Sequence, residues 1–270
     1  MKDCDLDFKL SRHLLITVLT SLAIAIALGN IKNLRQLAVS QEIPTVNILP
    51  ESIRDSKILQ TCQAVTVRVV KADSAGSGVI IGRSGNIYSV LTNWHVVESS
   101  NPIILTVDDL QHQSLAPPQH IGNIDLALLK FYSDTEYPIA RIASQTPQIG
   151  DTVYAAGFPL TIGDNKNTVS LGNKAFRLVV GEVSIIPVKS LPQGYRLGYT
   201  NDTKMGMSGS PIFNEHGLLV GIHGRGKYRD PGFGVYLFED GSEPNPEQLE
   251  QMVQSSWGIP ISTYFKLIEQ

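Results

Sequence analysis

Cysteine is scarce in this chain of 270 residues, which contains only Cys4 and Cys62. If an apolar leader that includes Cys4 is removed, Cys62 is left alone and no internal disulfide can form. We expect Cys62 to be a small buried hydrophobe at the start of a strand. The sequence also lacks any group of cysteine, histidine and acidic residues with metal-ligand spacing, so we expect neither a metal nor another cofactor.

A surplus of basic residues is absent as well. Lys and Arg number 22 against 25 Asp and Glu, which gives a formal net charge of −3. Because no basic cluster is present either, we expect no nucleic-acid partner. Hydrophobic residues make up 42% of the chain, enough for a substantial core at this length. Short apolar runs separated by glycine and proline are typical of many strands joined by turns.

Long hydrophobic runs are limited to one, Leu14–Leu28, which follows Lys9 and Arg12. The run is shorter than the roughly 20 residues of a membrane span, and small residues near its end suit a cleavage site. Acidic residues ahead of Lys9 are atypical of a signal peptide. Residues 1–29 are therefore expected to be either a cleaved signal peptide or an uncleaved membrane anchor, and both imply export to a periplasmic, lumenal or extracellular location. Residues 30–57 are predicted to form a polar linker.

Three short segments hold, in chain order, a histidine, an aspartate and a serine. His95 follows an apolar, β-rich run and is expected at a strand end, where its side chain can project into a cleft. Asp125 opens an apolar strand between two aliphatic residues, so we expect it to be partly buried with a hydrogen-bonding partner. Ser208 lies between Gly206 and Gly209, which allow the backbone to turn sharply.

These residue types suit nucleophilic catalysis. A serine hydroxyl is a poor nucleophile near neutral pH, so a neutral imidazole must take its proton during attack. A sheltered carboxylate fixes the tautomer of that imidazole and stabilises the imidazolium. We therefore predict Ser208 as nucleophile, His95 as base and Asp125 as the orienting acid. The backbone amides of Gly206 and Ser208 are predicted to form an oxyanion hole.

The order histidine, aspartate, serine is that of the chymotrypsin type, whereas subtilisins and α/β-hydrolases use other orders. The local motifs agree with it. TNWHVV at 92–97 and DLALL at 125–129 resemble those of Deg-type proteases. GMSGSPIFNE at 206–215, followed by GIH at 221–223, is similar to the glutamyl endopeptidases. The chain thus resembles the short-loop bacterial branches of the trypsin-like serine peptidases over about residues 60–238.

This resemblance implies an all-β fold of two packed antiparallel six-stranded β-barrels, with the site in the cleft between them and a C-terminal helix. The peptidase domain is expected over 58–270, with the first barrel at about 58–140 and the second at about 141–240. We expect a helical tail at 246–270 and no appended PDZ domain. The apolar runs predict strands at 64–71, 78–82, 87–92, 103–107, 126–131, 151–157, 177–186, 195–199, 211–213, 217–223 and 233–237, and helices at 247–254 and 262–269.

The residues of the specificity pocket give conflicting indications. By the resemblance, Asp202 occupies the position at which trypsins pair with Lys or Arg. Thr203 and His223 match positions that glutamyl endopeptidases use to bind a Glu carboxylate, and Arg225 would assist an anionic side chain. A buried charge needs a partner, so Asp202 could instead pair internally with Lys204 or Arg225. We favour acidic residues before the scissile bond, with cleavage after Lys or Arg as the alternative.

We therefore expect a serine endopeptidase that hydrolyses protein or peptide substrates through an acyl-enzyme intermediate. The alternative from another class is a catalytically idle trypsin fold used as a binding module. An α/β-hydrolase esterase is disfavoured because Ser210 breaks the Gly-x-Ser-x-Gly pattern. Met207 stands directly before the serine, where trypsin has an aspartate, so an amino-terminal salt bridge is excluded as an activation switch. Membrane contact is expected only through an anchor at residues 14–28, and the sequence points to no particular oligomer.

Overall fold

The computed structural model describes residues 51–71, 74–162, 166–227 and 236–269. Their elements, in chain order, are α1 (Glu51–Val65), β1 (Thr66–Lys71), β2 (Ser74–Ser84), β3 (Ile87–Thr92), α2 (Trp94–Val97), β4 (Ile103–Leu105), β5 (Gln111–Gln113), β6 (Gln119–His120), β7 (Ala127–Tyr132), β8 (Thr152–Gly157), β9 (Thr161–Ile162), β10 (Lys166–Asn167), a 3-10 segment (Val169–Ala175), β11 (Arg177–Ile185), a 3-10 turn (Pro192–Gly194), β12 (Leu197–Tyr199), β13 (Pro211–Asn214), β14 (Leu219–Arg225), α3 (Pro246–Val253), β15 (Ser256–Pro260) and α4 (Ile261–Ile268).

The first strands form an antiparallel sheet in the order β5-β4-β1-β2-β3-β7-β6. Alternation along the strands sends Val67, Val69 and Val90 into one buried core. Tyr88 lies opposite Phe131 across the β3–β7 pair, and the two rings stack with centroids 5.1 Å apart. The sheet presents the end of β3 and the start of β7 side by side, which places the two segments that contain His95 and Asp125 together.

The second set of strands closes into a barrel in the order β11-β12-β15-β14-β13-β8. Strand β15 is buried along its whole length and joins β12 to β14, with Tyr199 opposite Ser256 and His223 opposite Gly258. Ser208 lies in the loop between β12 and β13. The barrel therefore presents the loop that contains Ser208 towards the first sheet.

The predicted all-β fold with two packed β-units and a C-terminal helix is confirmed. The second unit is the expected closed barrel of six strands, whereas the first is a seven-stranded sheet rather than a ring of six. Helices α3 and α4 begin one residue before their predicted starts. The predicted strand 233–237 lies largely outside the described residues, as do the predicted leader and the linker up to residue 50.

Several elements are additional to those expected from the sequence, and two of them lie in segments predicted to be a helical tail and a linker. Strand β15 lies between α3 and α4, in a tail that was expected to be helical. Helix α1 extends over residues 51–57, which were assigned to the linker, and continues to Val65. Its buried residues Ile58, Cys62 and Val65 are spaced four and three apart, so they share one helical face against the core.

None of the helices within the described ranges combines the length and hydropathy that a membrane crossing requires. The apolar run Leu14–Leu28 lies outside those ranges.

We predict that Cys62 is inert in the folded chain. Its side chain is fully buried, and this burial raises the pKa of the Cys62 thiol to about 12. Because the thiolate is the reactive form, iodoacetamide at pH 8 should leave Cys62 unmodified until denaturant is added. Mass spectrometry of the peptide that contains Cys62, before and after denaturation, measures this. Equal modification in both samples would contradict the buried position.

Candidate active site

His95 lies on α2, a single helical turn that begins directly after β3. Val96 and Val97 are buried and hold this turn against the first sheet. The imidazole instead faces outward, with 46% of its side chain exposed. A strand end followed by one helical turn thus holds the backbone rigidly while leaving the ring accessible to a substrate.

Asp125 is the buried partner of His95, with 3% of its side chain exposed. Its Oδ1 accepts a hydrogen bond from the His95 backbone amide at 2.9 Å, and its Oδ2 lies 2.7 Å from His95 Nδ1. The Tyr195 hydroxyl also donates to Oδ2. Burial alone raises the pKa of the Asp125 carboxyl, but hydrogen bonds and charge from His95, with the bond from Tyr195, more than offset it and lower that pKa. The carboxylate therefore stays ionised and fixes the proton of His95 on Nδ1, which leaves Nε2 as an acceptor.

Ser208 lies in a loop shaped by two glycines. Gly206 and Gly209 have φ of +93° and +86°, in the left-handed region. A Cβ on Gly209 would lie 1.9 Å from the Ser77 carbonyl oxygen, so only glycine fits there. In the part of the chain that the structure describes, the Ser208 hydroxyl donates to the Gly224 carbonyl at 3.5 Å and makes no hydrogen bond to His95.

The histidine and serine segments nevertheless meet at β2. A Cβ on Gly76 would lie 2.6 Å from Val96 Cγ1 and 3.0 Å from the Ser208 carbonyl oxygen. The same carbonyl accepts a hydrogen bond from the Ser77 amide at 2.8 Å. The structure thus brings the three predicted residues into one region, with His95 and Asp125 already hydrogen-bonded.

Asn93 ties these segments together, and sequence reasoning missed it. Its side chain is fully buried, donates through Nδ2 to the Asp125 backbone carbonyl at 2.8 Å, and accepts at Oδ1 from the Gly209 amide at 2.6 Å. The Asn93 side-chain amide therefore links the Gly209 backbone amide to the Asp125 backbone carbonyl. Its position two residues before His95, at the end of a strand, was the available signal.

The two amides predicted to form an oxyanion hole both belong to the loop that contains Ser208. Within the described ranges, neither the Gly206 nor the Ser208 amide donates to a protein acceptor. A Cβ on Gly206 would lie 2.5 Å from the Leu160 backbone nitrogen, so the loop cannot accept a side chain there. Both amides are thus left with hydrogen-bonding capacity beside the serine.

The four residues predicted for specificity have different surroundings. Asp202 is exposed and forms a surface ion pair with Lys204, at 2.7 Å. Thr203 Oγ1 lies 3.1 Å from Ser256 Oγ. The other two residues, His223 and Arg225, lie on β14 and differ in burial.

His223 is buried, and its Nδ1 lies 2.5 Å from the Tyr199 hydroxyl. Arg225 instead stacks over the Tyr195 ring, with its guanidinium carbon 4.1 Å from the centroid, and donates to Gln193 Oε1 at 3.0 Å. Among the described residues, no group of three histidine, cysteine or acidic side chains could hold a metal ion.

A protein-family model described as "Trypsin-like peptidase domain" matches residues 76–222, which is more than half of the chain. This segment includes His95, Asp125 and Ser208 together with strands β3 to β13. The chain belongs to the trypsin-like peptidase family.

Individual relatives agree with this assignment. The chain is 30% identical to a "Probable periplasmic serine endoprotease DegP-like" of Pseudomonas fluorescens, over 74% of this chain and 40% of that protein. It is 26% identical to a "Glutamyl endopeptidase" of Staphylococcus aureus, over 61% of this chain and 50% of that protein. The chain thus spans half or less of these relatives. The crystal structure of a serine endoprotease from Yersinia pestis has the same fold, with a TM-score of 0.55 and 23% identity over 82% of this chain and 66% of that one.

We predict that Asn93 contributes strongly to stability. Asn93→Ala leaves the Asp125 carbonyl without its amide donor and opens a small cavity, which should lower the free energy of unfolding by about 2–3 kcal/mol. Urea unfolding followed by fluorescence measures the change. Asn86→Ala is the matched control, because Asn86 hydrogen-bonds to Asp134 at 2.9 Å on an exposed surface. Equal midpoints for the two variants would contradict the bridging role.

Proposed function

We propose that this protein is a serine endopeptidase in which Ser208 is the nucleophile, His95 the general base and Asp125 the orienting acid. The observation that carries the proposal is the pair of hydrogen bonds from His95 to Asp125, at 2.9 and 2.7 Å. They fix both the backbone and the ring of the histidine on one buried carboxylate. This is the arrangement that general-base activation of a serine requires.

The reaction proceeds in two halves. The Ser208 oxygen attacks the scissile carbonyl carbon while His95 Nε2 takes the hydroxyl proton, and the resulting imidazolium passes that proton to the leaving amine. Water then attacks the acyl-enzyme, with the same ring acting as base and then as acid. The amides of Gly206 and Ser208 stabilise the oxyanion in each half, and each such donor typically contributes about 3–4 kcal/mol.

The serine must turn towards the histidine before attack. Its present contact with the Gly224 carbonyl, at 3.5 Å, is at the outer limit of a hydrogen bond. Because so long a contact is weak, rotating the hydroxyl towards His95 costs little. Because Nδ1 of the half-exposed imidazole faces Asp125, Nε2 is the nitrogen left to take the hydroxyl proton.

We predict that the full chain reacts with a fluorophosphonate probe at Ser208. Ser208→Ala should abolish labelling, and His95→Ala should slow it by about a thousandfold or more, since the hydroxyl loses its base. Mass spectrometry of the labelled peptide locates the adduct.

Ser210→Ala is the matched control for this experiment. The Ser210 hydroxyl is buried on the same loop and has no hydrogen-bond partner among the described residues, so its removal should leave labelling intact. If the native chain is not labelled at all, the idle binding module becomes the preferred function.

We further propose a preference for an acidic residue before the scissile bond. His223 is buried on β14 with its Nδ1 against the Tyr199 hydroxyl, and it matches a position that glutamyl endopeptidases use to bind a Glu carboxylate. Asp202, the residue that would favour Lys or Arg, lies at the surface in an ion pair with Lys204. The similarity to a glutamyl endopeptidase supports the same preference.

Under this proposal Arg225 packs against Tyr195, whereas the sequence predicts that it assists an anionic substrate side chain. Its guanidinium stacks on Tyr195 and bonds to Gln193, so the proposed carboxylate contact is made by His223 and Thr203.

We predict that peptides differing only by Glu or Gln before the scissile bond are cleaved at different rates. Wild-type enzyme should favour Glu by about tenfold or more, since a charge-assisted hydrogen bond to His223 distinguishes the two. His223→Gln should remove this discrimination while the fluorophosphonate rate at Ser208 stays unchanged. Liquid chromatography of a mixed peptide library provides the measurement. Cleavage only after Lys or Arg would refute the acidic preference.

We also propose that the protein acts outside the cytoplasm. The proposal depends on the apolar run Leu14–Leu28, and the DegP-like relative whose name includes "periplasmic" supports it. Both a cleaved signal peptide and an uncleaved anchor are consistent with this location.

A further inference from the structure

Tyr195 connects the second barrel to the buried acid of the first sheet. It follows the 3-10 turn Pro192–Gly194, and its side chain is fully buried. Its hydroxyl donates to Asp125 Oδ2, the same oxygen that receives His95 Nδ1. The contact spans 70 positions in the sequence, so the fold creates it and no local motif does.

The space for this hydroxyl is made by a glycine on β14. A Cβ on Gly224 would lie 2.0 Å from the Tyr195 hydroxyl oxygen, so a side chain there would displace the phenol from Asp125. The pairing of β14 with β15 shifts register between His223 and Arg225, which places Gly224 at a β-bulge. Bulges of this kind re-aim neighbouring side chains beside functional sites.

The tyrosine is also held from its other side. The Arg225 guanidinium lies over its ring at 4.1 Å and donates to Gln193 Oε1 at 3.0 Å. The Gln193 carbonyl in turn accepts the Asp125 backbone amide at 3.0 Å. The loop around Gln193 therefore contacts the acid twice, once through its backbone and once through the Tyr195 hydroxyl.

We propose that Tyr195 is a positioning residue for the triad, which holds the Asp125 carboxylate in the plane that faces His95. The inference rests on the proposed peptidase function. Oδ1 is fixed by the His95 amide and Oδ2 by the phenol, so the carboxylate cannot rotate about its terminal bond when the imidazole becomes charged. Without the phenol, the donors that remain on the carboxylate among the described residues all come from His95, and the acid and the base can move together.

The phenol remains a donor under working conditions. Burial, followed by the nearby charge of Asp125 and the hydrogen bond to it, raises the pKa of Tyr195 well above its ordinary value. The hydroxyl therefore keeps its proton near neutral pH.

The test compares Tyr195→Phe with Tyr88→Phe in the full chain. Both variants remove one hydroxyl from a fully buried tyrosine and keep the ring. Tyr88 is the matched control because, among the described residues, its hydroxyl bonds only to backbone groups of the segment after β7, the Thr135 carbonyl and the Tyr137 amide. Urea unfolding first establishes that both variants fold.

The probe is the fluorophosphonate, with the reaction rate resolved into its saturating value and its half-saturating concentration. Tyr195→Phe should lower the saturating rate by about tenfold, the size typical of losing one charge-assisted hydrogen bond, without changing the half-saturating concentration. Tyr88→Phe should leave both values as in wild type. A rate loss of equal size in the two variants would reduce Tyr195 to a structural residue and overturn the inference.

Proton NMR gives a second reading that does not depend on turnover. The downfield resonance of the His95 Nδ1 proton should move or broaden in Tyr195→Phe, since Oδ2 loses its second donor, and should stay in place in Tyr88→Phe. An unchanged resonance and an unchanged rate in Tyr195→Phe, with wild type still labelled, would overturn the inference alone. Absence of labelling in wild type would overturn the proposed function as well.

Discussion

The buried charge of Asp125 is the constraint on which the rest of the site depends. Moving a carboxylate out of water costs several kcal/mol unless other donors replace the lost hydration. Here the replacements come from His95 on α2 and Tyr195 beside β12. Because these donors belong to different β-units, the charge is satisfied only when the first sheet and the second barrel are packed together. The Asp125 carboxylate thus gains its full set of hydrogen bonds in the same step that packs the two β-units together.

Ser77 provides the corresponding connection on the serine side. It is fully buried, its amide donates to the Ser208 carbonyl at 2.8 Å, and its hydroxyl donates to the Gly206 carbonyl at 3.2 Å. Its own carbonyl accepts from the Thr92 hydroxyl at 2.7 Å, close to the start of α2. Asn93 links Gly209 to Asp125, so the loop that contains Ser208 is attached to the first sheet on both sides of that serine. The conformation of the Ser208 loop therefore depends more on its hydrogen bonds to the first sheet than on bonds within the loop.

The sequence predicted the parts of this arrangement that local patterns encode. Most strands follow from alternating or continuous apolar runs, and the contexts of His95, Asp125 and Ser208 are recognisable within a few residues each. Strand β15 was missed because Ser-Trp-Gly-Ile-Pro has no alternation, contains glycine and proline, and is buried on every residue by pairing with two distant strands. Helix α1 was missed because three buried residues are dispersed among polar ones, although their spacing was readable.

Contacts across long sequence distances could not be predicted in the same way. The bond from Tyr195 to Asp125 depends on a glycine at 224, and nothing near either residue in the sequence indicates that proximity. Asp202 illustrates the opposite case, in which the sequence left several partners open. The structure pairs it with Lys204 at the surface, where both side chains are more than half exposed.

Strand β14 shows how one short segment serves several purposes. His223 contacts Tyr199 within the barrel. The Gly224 carbonyl accepts a hydrogen bond from the Ser208 hydroxyl, and the absence of a side chain at Gly224 leaves room for the Tyr195 hydroxyl. Arg225 packs over the Tyr195 ring. Successive residues of a regular strand face opposite sides, and the bulge at Gly224 alters this alternation so that His223 and Arg225 have different environments. Under the proposed function, His223 therefore contacts the substrate, whereas Arg225, two positions later, packs on the tyrosine that supports Asp125. Substitution of Gly224 would disturb the support of the acid, since a side chain there meets the Tyr195 hydroxyl.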